Sequence, residues 1–296
     1  MILNEQVPLT LFQGNPLLRV PADKVLDTLA DPSSAAAVSM AKEHLAELRM
    51  EQALGAKLRP ALFLLDTEYV VHDPKSKAAE KFSQFGTGFV VSTDGKLLTA
   101  KRVVAPWKFD PQIAFLVERR HLEVDRASVQ TYAWPAGSTV TGGDGRPDFA
   151  SAFSTAKQTL KLLSTPPDQN SAQDYQDPDS EEHVSLKLHT EGDADLALPQ
   201  VSGAGFQPLL FQKAPDNSSA LRLVLGSYPY GLNQPETAPR LLGVTLGLQG
   251  DVLPMDHHVD PGEFGAPLLD REGAVVALAA SGNRRISIHA GQKLIP

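Results

Sequence analysis

The sequence predicts an all-β fold, and two observations carry that prediction. Apolar runs of strand length recur between turn residues from about residue 60 to residue 289, and the chain contains 23 prolines and 22 glycines, as expected of a folded protein with many turns. In addition, residues 85–104 have the pattern of a β-hairpin, with an apolar strand, a turn at Asp94-Gly95 and a second strand. We therefore expect short strands throughout, with one helix near the N-terminus and one long acidic insertion loop.

The composition excludes several classes of function. A chain of 296 residues buries enough apolar surface to fold without covalent cross-links. Cysteine is absent, which rules out disulfides, thiolate metal sites and a cysteine nucleophile but leaves the redox compartment open. The formal net charge of −8 argues against nucleic acid as a partner, because binding a phosphate backbone needs clustered Lys and Arg.

The chain shows no sign of membrane insertion or export. Its N-terminus lacks the basic and apolar segments of a signal peptide, and no later stretch reaches about 18 uninterrupted apolar residues. We expect a cytoplasmic protein without a membrane segment, unless the sequence is a domain of a longer exported protein. Its oligomeric state is not indicated.

The N-terminal part is predicted to be an arm followed by a helix, over residues 1–57. Residues 1–32 contain scattered apolar residues and several prolines. From Ser33 onwards, apolar residues recur at spacings of three and four in an Ala-rich segment, which predicts a helix over residues 35–55. Residues 60–71 then form the first predicted strand, and the polar residues 72–84 are predicted to be a loop.

The middle of the chain is predicted to hold two strands and a loop. The strands are expected near residues 113–118 and 128–133. Residues 168–182 hold six carboxylates and no basic residue. Without the ligand spacing of a Ca²⁺ loop, this run predicts a solvated, mobile insertion rather than a metal site or a site for a basic partner.

The hairpin also carries a motif. Nine of its residues fit the pattern Gly-Ser-Gly-Phe-x-x-Ser-x-x-Gly-x-x-Leu-Thr-x-x-His-Val-Val, namely Gly86, Gly88, Phe89, Ser92, Gly95, Leu98, Thr99, Val103 and Val104. This pattern belongs to the HtrA-like branch of the trypsin-like serine proteases, which the chain therefore resembles. Arg102 stands where that family has its general-base histidine.

Two later stretches resemble the same family, in the same order. Residues 260–269 are similar to the nucleophile loop Pro-Gly-Asn-Ser-Gly-Gly-Pro-Leu, whose glycines let two backbone N–H groups face the reacting oxygen. In that loop Phe264 takes the serine position and Glu263 the asparagine position, after Gly262. Asp195 falls on the family's aspartate, which orients the histidine, although Pro199 departs from the residues that usually follow.

The resemblance covers residues 58–296 and implies a chymotrypsin-like fold of two β-barrels. The first barrel is expected over residues 58–200, including an insertion loop at about 142–182, and the second over 201–296. No PDZ-like extension is expected after Pro296. Within the second barrel, the predicted features are a strand and turn at 223–232, a strand at 241–248, a turn at 270–273, a strand at 274–280 that in the family lies beside the substrate, and a last strand at 286–289.

The substituted positions imply a loss of catalysis. Arginine stays protonated and has no acceptor atom, so Arg102 cannot act as a base. We expect it to form an ion pair with Asp195 instead. Phe264 has no nucleophilic atom and is large enough to fill the entrance of the specificity pocket. Glu263 is expected to place negative charge near the position of an oxyanion, which opposes acyl transfer.

The resemblance therefore implies a pseudoprotease that binds a protein or peptide, without a cofactor or metal. Residues Ala279, Ala280 and Ser281 are the predicted edge at which an extended peptide adds to the sheet. If Phe264 blocks the cleft, binding is expected to move to the N-terminal helix or the acidic loop. A purely structural subunit with a filled cleft is a further reading.

The alternative is a hydrolase with a relocated catalytic centre that uses Ser281 and His258. A metal held by Asp256, His257 and His258 is not expected, because adjacent residues on a strand point to opposite faces. We expect a hydrogen-bonding or exposed role for each histidine.

Overall fold

The computed structural model describes residues 6–8, 19–21, 53–56, 58–135, 156–177, 183–189, 195–212, 220–229, 239–247, 255–280 and 285–287. The chain divides into two compact units, Met1–Ala53 and Leu54–Pro296. In the smaller unit, strands β1 (Gln6–Pro8) and β2 (Arg19–Pro21) pair antiparallel. The helix predicted over residues 35–55 lies outside the described residues, apart from its helical end at 53–56.

The first half of the larger unit forms a five-stranded antiparallel sheet in the order β5-β4-β3-β6-β7. Its strands are β3 (Leu62–His72), β4 (Ala79–Val90), β5 (Leu97–Leu98), β6 (Glu123–Pro135) and β7 (Gln158–Thr159). The predicted strands at 60–71 and 128–133 are confirmed.

The loop predicted over residues 72–84 is wrong, because strands β3 and β4 pair along their whole length and leave only residues 73–78 between them. The first residues of β4 are mostly exposed. They therefore lack the apolar alternation by which a strand is recognised in sequence. The second strand of the predicted hairpin is also shorter than expected, since the chain turns into a helix after β5.

Two helices follow strand β5, α1 (Lys101–Val104) and α2 (Pro111–Arg120). The strand predicted at residues 113–118 is therefore wrong. The Asp110 side chain caps α2 by accepting hydrogen bonds from the N–H groups of Gln112, at 2.8 Å, and Ile113, at 3.2 Å. Pro111 suits the first turn, and His121 ends the helix with a left-handed φ of 59°. The short apolar run fits a strand or a helix, and the caps decide between them.

The described part of the acidic run contains a β-strand. Strands β9 (Asn170–Gln176) and β10 (His183–His189) form an antiparallel hairpin, and β8 (Lys161–Ser164) pairs with β11 (Leu198–Gln200). A mobile loop over 168–182 is thus wrong for the strand residues 170–176, whereas 178–182 lie outside the described residues. Alternating apolar residues on β10 explain the order, because Val184, Leu186 and Leu188 pack against α2.

The second half of the unit forms another five-stranded antiparallel sheet, in the order β13-β12-β14-β15-β16. Its strands are β12 (Ala220–Ser227), β13 (Arg240–Gly247), β14 (Pro267–Leu269), β15 (Val275–Ala279) and β16 (Arg285–Ser287). The all-β, chymotrypsin-like fold class is confirmed. Among the described residues, no helix is long and apolar enough to cross a membrane.

Candidate functional site

Helix α1 places Arg102 against Asp195, as expected from the sequence. The Arg102 Nε–H group donates to Asp195 Oδ2 at 2.8 Å, and the Arg102 backbone N–H donates to Asp195 Oδ1 at 3.0 Å. Asp195 is fully buried and Arg102 is 9% exposed. Both carboxylate oxygens are therefore held by a residue that cannot accept a proton from a nucleophile.

Two aromatic rings enclose the Arg102 guanidinium. Its Cζ atom lies 4.7 Å from the centroid of the Phe109 ring and 5.0 Å from that of Phe264. Both distances are typical of cation–π contacts, each worth about 0.5–2 kcal/mol depending on desolvation. The three residues that the sequence resemblance assigns to triad positions thus form one packed cluster of a cation, an anion and a ring.

Sequence reasoning missed Phe109. Nothing in the local pattern marks it, because the tight turn between helices α1 and α2 brings it back over Arg102. The Phe109 ring also packs edge-on against His189, with centroids 4.8 Å apart. The ring that covers Arg102 is therefore itself packed against a residue of strand β10.

In the loop at residues 260–266, the backbone N–H of Phe264 forms a hydrogen bond within the loop itself. Residues Pro261–Glu263 form a 3₁₀ turn, in which the Phe264 N–H donates to the Pro261 carbonyl oxygen at 3.3 Å. The N–H of the nucleophile position is one of the two oxyanion donors in this type of site. Here that donor already has a partner within its own loop.

Hydrogen bonds and close packing attach this loop to its surroundings. Thr87 Oγ1 donates to the Gly262 carbonyl at 2.8 Å and accepts from the Tyr228 N–H at 3.1 Å. A Cβ atom at Gly262 would lie 2.0 Å from the Tyr228 carbonyl oxygen. At Gly265, where φ is +85°, it would lie 2.2 Å from Thr99 Oγ1. Only glycine fits these two positions without a shift of the neighbouring atoms.

Glu263 lies in a buried network. Its Oε2 atom accepts hydrogen bonds from the Asp260 N–H at 2.9 Å and from His257 Nε2 at 2.8 Å, and Oε1 accepts from Ser227 Oγ at 3.3 Å. The hydrogen-bonding role expected for His257 is confirmed. Ser227 and His257 each bind a different oxygen of Glu263, so this contact set is not a nucleophile paired with its base.

The residues expected to form a peptide-binding edge are only partly accessible. Strand β15 lies between β14 and β16, and Ala279 pairs opposite Arg285 of β16. On the other side, the Ala279 N–H donates to the Ala266 carbonyl at 2.9 Å and its carbonyl accepts from the Gly265 N–H at 2.8 Å. The prediction of an open edge is therefore wrong at Ala279. Ala280 is buried, and Ser281 lies outside the described residues.

The structure offers no metal centre among the residues that it describes. Asp256 has a structural role, since its side chain accepts a hydrogen bond from the Thr245 N–H at 2.8 Å. His258 is exposed.

An ion pair between the buried Lys101 and the exposed Asp168 joins helix α1 to the start of the acidic run at residues 168–182. Lys101 is 1% exposed, and its Nζ donates to Asp168 Oδ1 at 2.6 Å and to the Pro166 carbonyl at 2.8 Å. Lys108 Nζ binds Asp168 Oδ2 at 2.5 Å. Hydrogen bonds from the two lysines lower the pKa of Asp168 to about 2. This single carboxylate therefore holds two cations of the helical segment.

A groove of about 500 Å³ lies beside that ion pair, between helix α2, the start of β6 and the β9–β10 hairpin. Sequence reasoning missed it because α2 was assigned as a strand. The groove is lined by Trp107, Lys108, Ala114, Val117, Glu118, Leu122, Glu123, Val124, Arg126, Asp168, Asn170 and Lys187. The spacing of Ala114, Val117 and Glu118 would have indicated one helix face.

Comparison with known proteins agrees with this architecture. The family model described as a trypsin-like peptidase domain matches residues 86–278. No curated protein matches the chain. Among solved structures, Deg5 is similar at 15% sequence identity over 84% of this chain and 94% of that chain, with a TM-score of 0.48. The HtrA-type protease AlgW with a decapeptide is similar at 13% identity over 82% of this chain and 64% of that chain, with a TM-score of 0.51.

Proposed function

The chain belongs to the family of trypsin-like peptidase domains, and on that premise we propose that it is a catalytically inactive member which acts as a protein-binding or scaffolding module. The observation that carries the proposal is the cluster of Arg102, Asp195 and Phe264. A triad needs a base that accepts a proton, a nucleophile that gives one up and a carboxylate that orients the base. This cluster keeps the carboxylate alone.

The cluster also opposes any simple return of activity. Both oxygens of Asp195 are hydrogen-bonded to Arg102, and the Phe264 ring occupies space beside the guanidinium. The Phe264 N–H is directed to the Pro261 carbonyl. Base, nucleophile and one oxyanion donor are thus replaced by contacts that stabilise the fold.

Binding remains as a role for a fold of this kind. Strand β15 is paired on both sides at its C-terminal end, so a partner is not expected to add there as a further strand. A partner therefore binds at a surface away from the triad cluster, and the fold holds that surface rigid.

Hydrolysis of an unfolded protein labelled with a self-quenched fluorophore tests the catalytic part of this proposal. We expect no turnover by the wild-type chain at high concentration, above the rate of a mock preparation that was purified in the same way without the chain. Turnover by the wild type that exceeds this control would overturn the assignment as an inactive domain.

The same assay addresses a hydrolase with a relocated centre. Such a centre requires Ser281 or His258, so turnover that disappears in Ser281→Ala or His258→Ala would replace our proposal by that one. A triple variant, Arg102→His with Glu263→Asn and Phe264→Ser, checks the assignment of positions. Cleavage by this variant alongside a silent wild type would locate the lost chemistry at those residues.

A further inference from the structure

We propose that the groove between helix α2 and the β9–β10 hairpin is a docking site for a peptide segment that carries a bulky apolar side chain next to a carboxylate. This inference rests on the proposed function, because it names the surface and the partner class of the binding module. Three features of the groove support it, namely the apolar floor, the charges on the rim and the fixed spacing of the walls.

The floor is apolar and continuous with a buried cluster. Trp107, Val117, Leu122 and Val124 line the groove and also pack against the cluster of Tyr69, Val71 and Ile113. Each of the four lining residues is only half-buried, so apolar surface remains for a ligand to cover. The volume of about 500 Å³ is within the range of roughly 300–1,000 Å³ typical of ligand sites.

The rim offers two cations without carboxylate partners. Within the part of the chain that the structure describes, neither Arg126 nor Lys187 has a carboxylate oxygen within 4.0 Å. The third cation of the rim, Lys108, is already bound to Asp168. Arg126 and Lys187 are therefore the groups that gain most from an added anion.

Arg126 is especially suited to bind a carboxylate. Its guanidinium lies over the Trp107 ring, with Cζ 4.5 Å from the ring centroid. Burial of part of the side chain lowers the pKa of Arg126, Asp168 acts in the opposite direction, and the residue stays exposed at the rim. A carboxylate bound in the fork of a guanidinium makes two parallel hydrogen bonds and leaves the face on the ring undisturbed.

The rim also contains three acids, of which Asp168 is paired with two lysines. Glu118 Oε1 accepts a hydrogen bond from the Lys187 backbone N–H at 3.2 Å, and Glu123 Oε2 lies 3.8 Å from His72 Nε2. The Glu118 contact joins α2 to strand β10 and so fixes the distance between the two walls. A groove with fixed walls loses little conformational entropy when a ligand binds.

These features favour an acidic and apolar peptide over other ligands. A basic peptide would place its charge beside Arg126 and Lys187, and nucleic acid would meet a chain of net charge −8. An apolar side chain seated on Trp107 and a neighbouring carboxylate on Arg126 satisfy the floor and the rim together. This combination of an apolar centre and a polar rim is usual in protein interfaces.

Selection from a random dodecapeptide library displayed on phage, using the whole chain as bait, tests the inference. We expect enriched peptides with Asp or Glu within one or two residues of Leu, Ile, Met or Phe. The double variant Arg126→Glu with Lys187→Glu should bind these peptides at least about 10-fold more weakly. The matched control is Arg119→Glu with Arg120→Glu, which makes the same change of charge on exposed residues of α2 outside the groove lining, and its binding should be unchanged.

A spectroscopic readout locates the peptide. The chain has two tryptophans, and Trp134 is buried at 3% exposure. In a Trp134→Phe variant, emission therefore reports on Trp107 in the groove floor, and a selected synthetic peptide should shift or quench it. An unchanged emission at saturating peptide would overturn the proposed location.

The outcomes separate this inference from the proposed function. If the peptides bind the variant Arg126→Glu with Lys187→Glu as tightly as the wild type, the groove is not the docking site, but the proposed role as a binding module still stands. No enrichment, or a consensus without an acidic residue, would also overturn it. Cleavage of the peptides by the wild type would instead contradict the proposed inactivity, whatever the result at the groove.

Discussion

Two regions of the larger unit place an arginine on an aromatic ring, and they supply its counter-charge differently. Around Arg102 the chain itself provides the anion, since the fully buried Asp195 binds the side-chain Nε–H and the backbone N–H of this residue. At the groove, Arg126 lies over Trp107, and no carboxylate is within ion-pair distance of it among the described residues. In the first arrangement both the cation and its anion belong to the fold, whereas in the second the proposed ligand would supply the anion.

The difference shows that charge alone does not make a site. A cation that is paired with a buried anion of the same chain contributes to the fold, because removal of the anion alone leaves a buried charge without that partner. A cation at an exposed rim contributes little to stability, because water already solvates most of it. Substitutions near Arg102 should therefore lower the free energy of unfolding, whereas substitutions at the groove should mainly weaken binding.

Removal of the internal anion is expected to have the largest effect. Asp195→Ala removes the buried carboxylate that binds both the side chain and the backbone N–H of Arg102, in a site that is only 9% exposed, and a loss of about 3–5 kcal/mol in the free energy of unfolding follows. Urea denaturation followed by circular dichroism measures this loss. The control Arg102→Met with Asp195→Leu removes both charges and should recover most of it. A single substitution that costs less than about 1 kcal/mol would mean that the pair is solvated.

Removal of the ring on the guanidinium should cost less. Phe264→Ala deletes one of two cation–π contacts and part of the packing against the core of the second sheet. We expect the free energy of unfolding to fall by about 2–4 kcal/mol. This is at the lower end of the losses seen when a buried aromatic residue is replaced by alanine, because the ring is only partly buried. Thermal unfolding measures it. The variant Phe264→Leu keeps the apolar volume without the ring and should lose about half as much. An equal loss in both variants would assign the whole effect to the ring contact.

The two regions also differ in how much of them the sequence indicates. The contact of Arg102 with Asp195 could be predicted, because both residues fall on motif positions that the fold brings together. The sequence could not show that the Phe264 N–H is directed to the Pro261 carbonyl, since that depends on one backbone turn. The groove was missed for another reason. Residues 111–120 are too short and too apolar for periodicity to separate helix from strand, and the deciding cap at Asp110 is a single side chain.

The pH dependence at the wall of the groove gives the smallest expected effect. Hydrogen bonds from Lys101 and Lys108 lower the pKa of Asp168 to about 2, below the value of about 3.9 of an unfolded aspartate. A carboxyl whose pKa is lower in the folded state stabilises the fold above the unfolded pKa and loses this contribution as pH falls from about 4 to about 2. Because the Asp168 side chain is 43% exposed, we expect a contribution below about 1 kcal/mol.

Urea denaturation of the wild type and of Asp168→Asn across pH 2–7 measures that contribution. The difference in unfolding free energy between the two proteins should be constant above about pH 4 and should shrink towards pH 2. Lys108→Gln, which removes the more exposed of the two cations, should move the midpoint of this change to higher pH. If the difference does not vary with pH, the two lysines do not stabilise the charged form of Asp168, and the wall of the groove is held by packing between α2 and the hairpin instead.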